Sequence, residues 1–554
     1  MMRFMAGLIL LAIPLVPAAG EDRGTVVTGK RGMVICVSPE AADVGVAILK
    51  QGGNAVDAAV AVALAEAVTY PAAGNIGGGG FMLVYPPGGD PTVFEYRETA
   101  PAAVNRDTFA KTTDWHDHKA VGVPGTLRGL ELAHKKFGKL PWKDLVAPAI
   151  RLADEGLTLD APMVKSLNEV LKKAKNEEFR RLFGKDAGKT PWQVGDRLVQ
   201  KDLAQTLRRI ADVGAAAFYS GELADLLVAE MKAGGGCVTK EDLAAYQAKE
   251  RKPIRGTYRG YDVYGPPPPS SGGIALVEIL NILETFDLRK TGAGSAETRH
   301  LMAEAMRRAF VDRAKYLGDP DFVRIPEFLT VKEYAKKLAA TISLDRATPS
   351  ASLADGITLS SESGDTTHFS IIDANGMAVS NTYTLEDSYG SRVAVRGAGY
   401  ILNNEMGDFN SRPGVTTAKG RIGTESNLVA PGKRMLSSQA PTIVAKGGQP
   451  VLITGSPGGR TIINTVACVV TNVIDFEMDI QAAVDAPRQH HQWFPDELKL
   501  EDKNPDLRKK LEGFGHKVAT EPKQGDAHSI WIDPKTGVYQ GAADRRINGK
   551  AAGY

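Results

Sequence analysis

Between Cys36 and Val68 the apolar residues fall at helical spacing, with Ala41, Val44, Val46 and Leu49 on one face and then Val56, Ala59, Val60 and Ala63 on one face. Gly52-Gly53-Asn54 divides the run, so two helices are predicted. The stretch Gly74-Asn75-Ile76-Gly77-Gly78-Gly79-Gly80 then leads into Phe81-Met82-Leu83-Val84-Tyr85, a continuous apolar strand. Four consecutive glycines allow a backbone to crowd either a ligand or another strand. Residues 125 to 250 read as mostly helical, with solvated charge runs such as Lys172-Lys173-Ala174-Lys175.

Further on, strand-like Tyr261-Asp262-Val263-Tyr264 precedes a rigid segment, Pro266 to Gly273, and an apolar helix from Ile274 to Phe286. The proline run reads as an internal connection, with a polyproline ligand for a partner as the alternative. A helix from Thr298 to Tyr316 turns Met302, Ala305, Met306, Phe310 and Ala314 inward. Residues 344 to 364 lose periodicity and predict an exposed, mobile connection. After it the period becomes that of strands: Thr367, Phe369 and Ile371 alternate with His368, Ser370 and Ile372, and Asp373-Ala374-Asn375-Gly376 turns the chain back into Met377 to Thr384. A three-residue loop with Gly376 left-handed pairs 373 with 377. Counting outward, Thr366 then lies opposite Thr384, and a slip of one residue would turn Thr384 to the other face.

Composition narrows the class. The 554 residues allow one large or several ordinary domains, and 43% apolar with 24% charged residues describes a folded, globular chain. A net charge of +2, from 67 basic and 65 acidic residues, gives no electrostatic case for nucleic acid. Residues 1–20 carry Arg3, an apolar run from Leu8 to Val16 and Pro17-Ala18-Ala19-Gly20, the pattern of a secretory signal peptide. The run is short for a membrane span and no cysteine lies near the cleavage site, so the expected location is periplasmic or secreted, without a stable membrane anchor. Cys36, Cys237 and Cys468 fit neither a disulfide framework nor a metal motif.

Candidate chemistry centres on Asp365-Thr366-Thr367-His368-Phe369-Ser370. A threonine whose amino group is freed carries a nucleophile and a base in one residue. The plain alternative is that both threonines are β-branched strand residues. Other motifs fall away. Gly184 to Thr190 has three residues between its glycines where a P-loop has four, and the Gly74–Gly80 order of helix, glycines, strand is wrong for a dinucleotide fingerprint. His490-His491 lacks ligand partners at metal spacing and reads as a structural pair.

Taken together, Thr366-Thr367-His368-Phe369-Ser370, Tyr383-Thr384-Leu385, Leu402 to Phe409, Leu436-Ser437-Ser438 and Gly455 to Gly459 closely resemble the small subunit of γ-glutamyltransferases (γ-glutamyltranspeptidases), which are N-terminal nucleophile hydrolases. Upstream, Gly52 to Ala58, Gly77 to Phe81, Arg97-Glu98-Thr99-Ala100-Pro101, Pro267 to Gly273, Ala303 to Met306 and Leu317-Gly318-Asp319-Pro320 are similar to that family in its order, as is the C-terminal Gly549 to Tyr554. The resemblance implies an α/β fold of the four-layer αββα sandwich type, one intertwined domain made by two autoproteolytic fragments. Self-cleavage at Asp365-Thr366 would give a large subunit, 21–365, and a small subunit, 366–554. Thr366 would be the nucleophile, Thr384 its orienting partner, and Gly458 and Gly459 the oxyanion-binding pair. Arg97, Ser437 and Ser438 would hold the α-carboxylate of a γ-glutamyl group, and Glu405 and Asp408 its ammonium.

The implied activity hydrolyses or transfers the γ-glutamyl group of glutathione and related compounds, to amino acids, peptides or water, with no cofactor and no metal. Two departures from the family pattern stand out. Glu386 occupies a position where many members carry asparagine, and Lys419, in a lid-like segment from Pro413 to Arg434, stands where a gating tyrosine is often found. Glu386 adds a third carboxylate at the ammonium end, which leaves open a related acylase acting on β-lactam side chains or poly-γ-glutamate. An inactive, peptide-binding relative is the third reading.

Overall fold

The computed structural model describes residues 26–353, 359–360, 365–547 and 549–554, so the signal-peptide reading and part of the 344–364 connection lie outside the described residues. The two predicted helices span Pro39–Lys50 and Ala55–Thr69. Gly52, at φ +96°, turns the chain between them, and Asn54 caps the second helix through the amides of Val56 and Asp57, with Asp57 answering the Asn54 amide. The second helix is buried on every side rather than on one apolar face. Its two acids are enclosed with it: Asp57 accepts from the Lys139 amide at 3.0 Å, and Glu66 accepts from Tyr383 Oη at 3.2 Å.

Two seven-stranded sheets form the centre. The first runs, edge to edge, Lys550–Gly553, Gly32–Cys36, Asp365–Asp373, Ala378–Glu386, Gly79–Tyr85, Thr92–Glu95 and Lys249–Arg251; the second runs Val27–Gly29, Tyr539–Ala542, Ser529–Ile532, Gln449–Thr454, Thr442–Lys446, Tyr261–Gly265 and Ile254–Tyr258. Every pairing within them is antiparallel. Strand alternation divides the core. Met33, Ile35, Phe81 and Leu83 meet Ile443, Ile453 and Ile530 between the sheets, while Val34, Cys36, Met82 and Val84 face the helices Pro39–Lys50 and Ala55–Thr69. On the second sheet Val263, Val444 and Leu452 pack against the helices Gly272–Leu283, Ala296–Tyr316 and Thr461–Ile474. The proline run connects the Tyr261–Gly265 strand to Gly272–Leu283, as expected of an internal segment.

The hairpin forms as its sequence predicts. Gly376 has φ +83°, the Asp373 amide donates to Met377 O at 3.1 Å, and the pairs run from Ile372–Ala378 to Thr367–Tyr383 in the expected register. Beyond that level the register shifts, and Asp365 pairs with Glu386. One residue, Thr366, therefore opposes two, Thr384 and Leu385, which is a β-bulge. The Gly77–Gly80 run serves strand packing: a Cβ at Gly78 would stand 2.0 Å from Thr384 O, and one at Gly80 2.4 Å from Thr382 O. The stretch Lys185–Gly188 is a 3-10 turn with no strand leading into it, so the rejected P-loop is absent there.

Candidate active site

Thr366 lies at the start of a central strand, 8% exposed, with its Oγ1 3.4 Å from Thr384 Oγ1. Thr384 Oγ1 also accepts from the Glu386 amide at 2.8 Å, and Thr384 O accepts from Asn75 Nδ2 at 2.9 Å. Asn75 is fixed in turn by the Gly78 amide at 2.9 Å and Thr126 Oγ1 at 2.8 Å. The glycine-rich run thus anchors the backbone on which the second hydroxyl stands.

The two threonines open onto a cavity of about 160 Å³, with Gly458 and Gly459 beside them. Arg97, Glu386, Glu405, Asp408, Ser437 and Ser438 also line it, so every site residue expected from the sequence other than Asp365, across the bond from Thr366, meets in one space. Gly458 and Gly459 have φ +124° and +55° and lead into the helix Thr461–Ile474. A Cβ at Gly458 would lie 2.4 Å from Thr461 Oγ1, so both its conformation and its space require glycine.

Arg97 is 1% exposed, and its guanidinium pairs with the acids that the sequence reading set apart from it, at the ammonium end. Its Nη1 stands 2.7 Å from Glu405 Oε2 and 3.4 Å from Glu98 Oε2, and its Nη2 pairs with Asp408. Burial raises the Glu405 carboxyl well above its usual range, against the pull of Arg97. Glu98, which the sequence reading passed over, is pushed up to about 7 by burial. Glu386 is raised too, first by burial and then by the charges of Asp408, Asp387 and Glu405. Its Oε2 is buried without a hydrogen-bond partner among the described residues, and its backbone sits at φ +78°. A cluster of acids around one guanidinium has a place for a further cation.

His368, next but one to Thr366, turns away from the cavity: Nδ1 meets Thr382 Oγ1 at 2.8 Å and Nε2 meets Ser370 Oγ at 3.1 Å. Burial lowers it well below the ordinary histidine range, so it stays neutral. His490 borders the cavity, held by Asn464 at 2.7 Å and Gln492 at 2.8 Å, while His491 stands 3.3 Å from Asp496. Burial drops them to about 3 and about 4, as suits a structural pair. Elsewhere His300, Glu304 and His516 have ligand atoms grouped closely enough for a metal, but the Glu304 carboxylate is already paired with Arg307 and Arg308. Lys419 is exposed and lies outside the cavity wall. The lid segment is tied down through Arg460 Nη1, which donates to Gly420 O at 2.9 Å.

Sequence reasoning missed Arg313, Arg460, Gln492 and Lys499, which also line the cavity. Arg460 had a signal, because it directly follows the glycine pair; Arg313 stands on the polar side of a helix read only for its apolar face.

Antiparallel sheets that carry a buried threonine at a strand start, with a second hydroxyl beside it and a left-handed glycine pair lining the same polar cavity, fit the N-terminal nucleophile hydrolase class. The gamma-glutamyltranspeptidase family pattern matches residues 41–554, and the chain belongs to that family. It is 46% identical over 556 residues to the glutathione hydrolase proenzyme of Escherichia coli (strain K12), covering 98% of this chain and 95% of that one. Among solved structures, cephalosporin acylase from Bacillus halodurans superposes with a TM-score of 0.85 at 31% identity, covering 99% of both chains. The gamma-glutamyltranspeptidase of Helicobacter pylori superposes with a TM-score of 0.55 at 43% identity, covering 56% of this chain and 92% of that one.

Proposed function

We propose that this chain is an exported, self-processing γ-glutamyltransferase and glutathione hydrolase whose nucleophile is Thr366. The observation that carries the reading is the meeting, in one cavity, of the Thr366–Thr384 hydroxyl pair with a guanidinium–carboxylate cluster shaped for an amino acid head group.

Cleavage of the Asp365–Thr366 bond frees the Thr366 α-amine, whose unperturbed pKa of about 7.7–8.0 suits a base near neutral pH. The amine takes the Oγ1 proton as Oγ1 attacks the γ-carbonyl of the donor. The tetrahedral oxyanion is held by the Gly458 and Gly459 amides, in a role where pre-set donors contribute much of the rate. Collapse expels the leaving amine with the proton the base had taken, leaving a threonyl ester. Water or an amino group then attacks the ester, returns a proton to Thr366 and releases glutamate or a new γ-glutamyl amide. Arg97, Ser437 and Ser438 receive the α-carboxylate; Glu405 and Asp408, with Glu386 beside them, receive the ammonium.

In this reading the fragments 21–365 and 366–554 stay together as one four-layer αββα domain. Helices packed on the outer face of each sheet support that arrangement. Residues 1–20 would direct export to the periplasm or beyond. The likeness to a cephalosporin acylase favours a second reading, an acylase for β-lactam side chains. The acids around Arg97 weigh against it for any acyl group that brings no cation to them.

Gel analysis and N-terminal sequencing of the expressed protein test the proposal. Two fragments with a new terminus at Thr366 are expected, and Thr366→Ala is expected to give an intact, inactive chain. Cleavage at the same bond in that variant would refute the nucleophile assignment. Comparison of γ-glutamyl and glutaryl anilides separates the two readings, and faster turnover of the glutaryl compound would favour the acylase.

A further inference from the structure

Arg313, on the helix Ala296–Tyr316, is 7% exposed and borders the cavity. Its guanidinium reaches two serines: Nε donates to Ser271 Oγ and Nη2 to Ser438 Oγ, both at 2.9 Å. Ser271 Oγ donates onward to Ser437 O at 2.7 Å, and the Ser271 amide donates to the same carbonyl at 2.8 Å. The Ser437 amide donates to Pro269 O at 2.8 Å, and the Gln439 amide donates to Ser437 Oγ at 3.0 Å. The close fit extends to Gly272, where a Cβ would stand 2.2 Å from Gln439 O.

The direction of these bonds decides what the Ser438 hydroxyl can do. A hydroxyl has one proton to give and two lone pairs to receive with, whereas a guanidinium only gives. Ser438 Oγ therefore accepts from Arg313 and cannot return its proton there. The Ser271 proton is committed to a carbonyl, so nothing about that serine competes for the Ser438 proton. Ser437 is arranged alike, accepting from a backbone amide.

We propose that Arg313 is a positioning residue that holds the Ser438 hydroxyl as a donor toward the α-carboxylate of the acyl donor, and thereby sets selectivity for donors that carry this group. The inference rests on reading the cavity as a γ-glutamyl site. Arg313 acts through Ser438 rather than by contact with the reacting atoms, so its loss is felt in KM more than in kcat.

The test uses the full-length, self-processed enzyme with Arg313→Met, Arg313→Lys, Ser438→Ala and the Arg313→Met/Ser438→Ala pair, each first shown by gel to give two fragments. With γ-glutamyl anilide, KM is expected to rise roughly tenfold in Arg313→Met, with kcat within about twofold. Arg313→Lys keeps the charge but cannot reach both hydroxyls together, so its KM stays nearer that of the Met variant than the wild type. With 4-aminobutyryl anilide, which keeps the ammonium and lacks the carboxylate, kcat/KM is unchanged.

In the Ser438→Ala background, Arg313→Met should add no more than about twofold, as expected for residues acting in one chain of contacts. A tenfold effect persisting in that background, an equal loss with both donors, or an unchanged KM for γ-glutamyl anilide would each overturn the proposal. Failure of the wild type to turn over γ-glutamyl anilide would instead reject the reading of the cavity, and this role with it. A Met variant that does not process leaves the Lys and Ser438→Ala proteins to decide on the same criteria.

Discussion

Thr366 Oγ1 stands 3.4 Å from Thr384 Oγ1 at the level where the hairpin register shifts. In an unbroken ladder the hydroxyls would simply be neighbours across two flat strands. The bulge at Thr384-Leu385 lets Thr384 keep that partner while the next residue, Glu386, takes φ +78° and brings its carboxyl to the cavity wall. The third carboxylate therefore comes from a local distortion that leaves the hydroxyl pair in place.

Removal of the second hydroxyl tests the first half of that relationship. Thr384→Val keeps the shape and loses the bonds to Thr366 Oγ1 and to the Glu386 amide. Self-cleavage and turnover are expected to slow by roughly a hundredfold, with Thr384→Ser recovering most of the loss. Fragment formation over time and pre-steady-state ester formation measure the two effects separately.

Glu386→Asn tests the second half. Asparagine accepts a left-handed backbone more readily than glutamate, so the substitution relieves strain at φ +78° and removes a carboxylate from a crowded cluster. Thermal stability is expected to rise at pH 8, where Glu386 is costly to ionise, while KM for γ-glutamyl anilide rises by a few fold as one attraction for the ammonium is lost. A fall in thermal stability instead would show that the carboxylate is structurally required.

Gly458→Ala places a Cβ 2.4 Å from Thr461 Oγ1 at a backbone angle of +124°. The amide beside it must move to relieve the clash, and loss of an oxyanion donor costs roughly a hundredfold or more in kcat. KM should change little, because Gly458 is not among the residues proposed to hold the carboxylate and the ammonium. A KM effect without a kcat effect would move Gly458 out of the oxyanion role.

Glu66 gives the fold a pH dependence of its own. Burial pushes its carboxyl from 4.5 up to about 8, with His528 pulling against the rise. The folded state holds a proton that the unfolded state releases, so stability falls as pH rises from about 4.5 to about 8, by about 1.4 kcal/mol per pH unit for one proton. His528 acts in the same sense: burial alone would lower it, but Asp526 at 2.8 Å raises it, so its stabilising proton is also lost as pH rises. Glu66→Gln is expected to lose less in unfolding temperature than the wild type between pH 5 and pH 8, as calorimetry would register.

The hairpin, the paired helices and the α/β class were legible because each rests on local spacing. Gly376 set the turn, the period of two set the strand faces, and the count from 373 and 377 brought Thr366 to Thr384. The bulge was not legible, since the Thr384 carbonyl beside it is held by Asn75, which the Gly78 amide fixes in turn, a contact between segments far apart in the chain. The all-round burial of Ala55–Thr69 was missed for a similar reason: alanine is small enough to face anything, and only the tertiary fold encloses Asp57 and Glu66. Arg313 and Lys499 carry no local mark that separates a cavity-lining cation from a solvated one. The binding set itself came from likeness to a family, and the structure adds that Arg97 is paired with Glu405 and Asp408.

In the first sheet, the strand Asp365–Asp373 lies between Gly32–Cys36, far upstream of the proposed scission point, and Ala378–Glu386, just after it. Both ladders form while the backbone is one continuous thread, with the turn at 374–376 guiding one of them. After scission that strand must find the upstream one as a separate molecule, with no tether to set the encounter. The mature enzyme would then be protected by a barrier to opening rather than by an equilibrium it can re-enter. Its heat inactivation should depend on scan rate and leave activity unrecovered on cooling, whereas the uncut Thr366→Ala chain should refold.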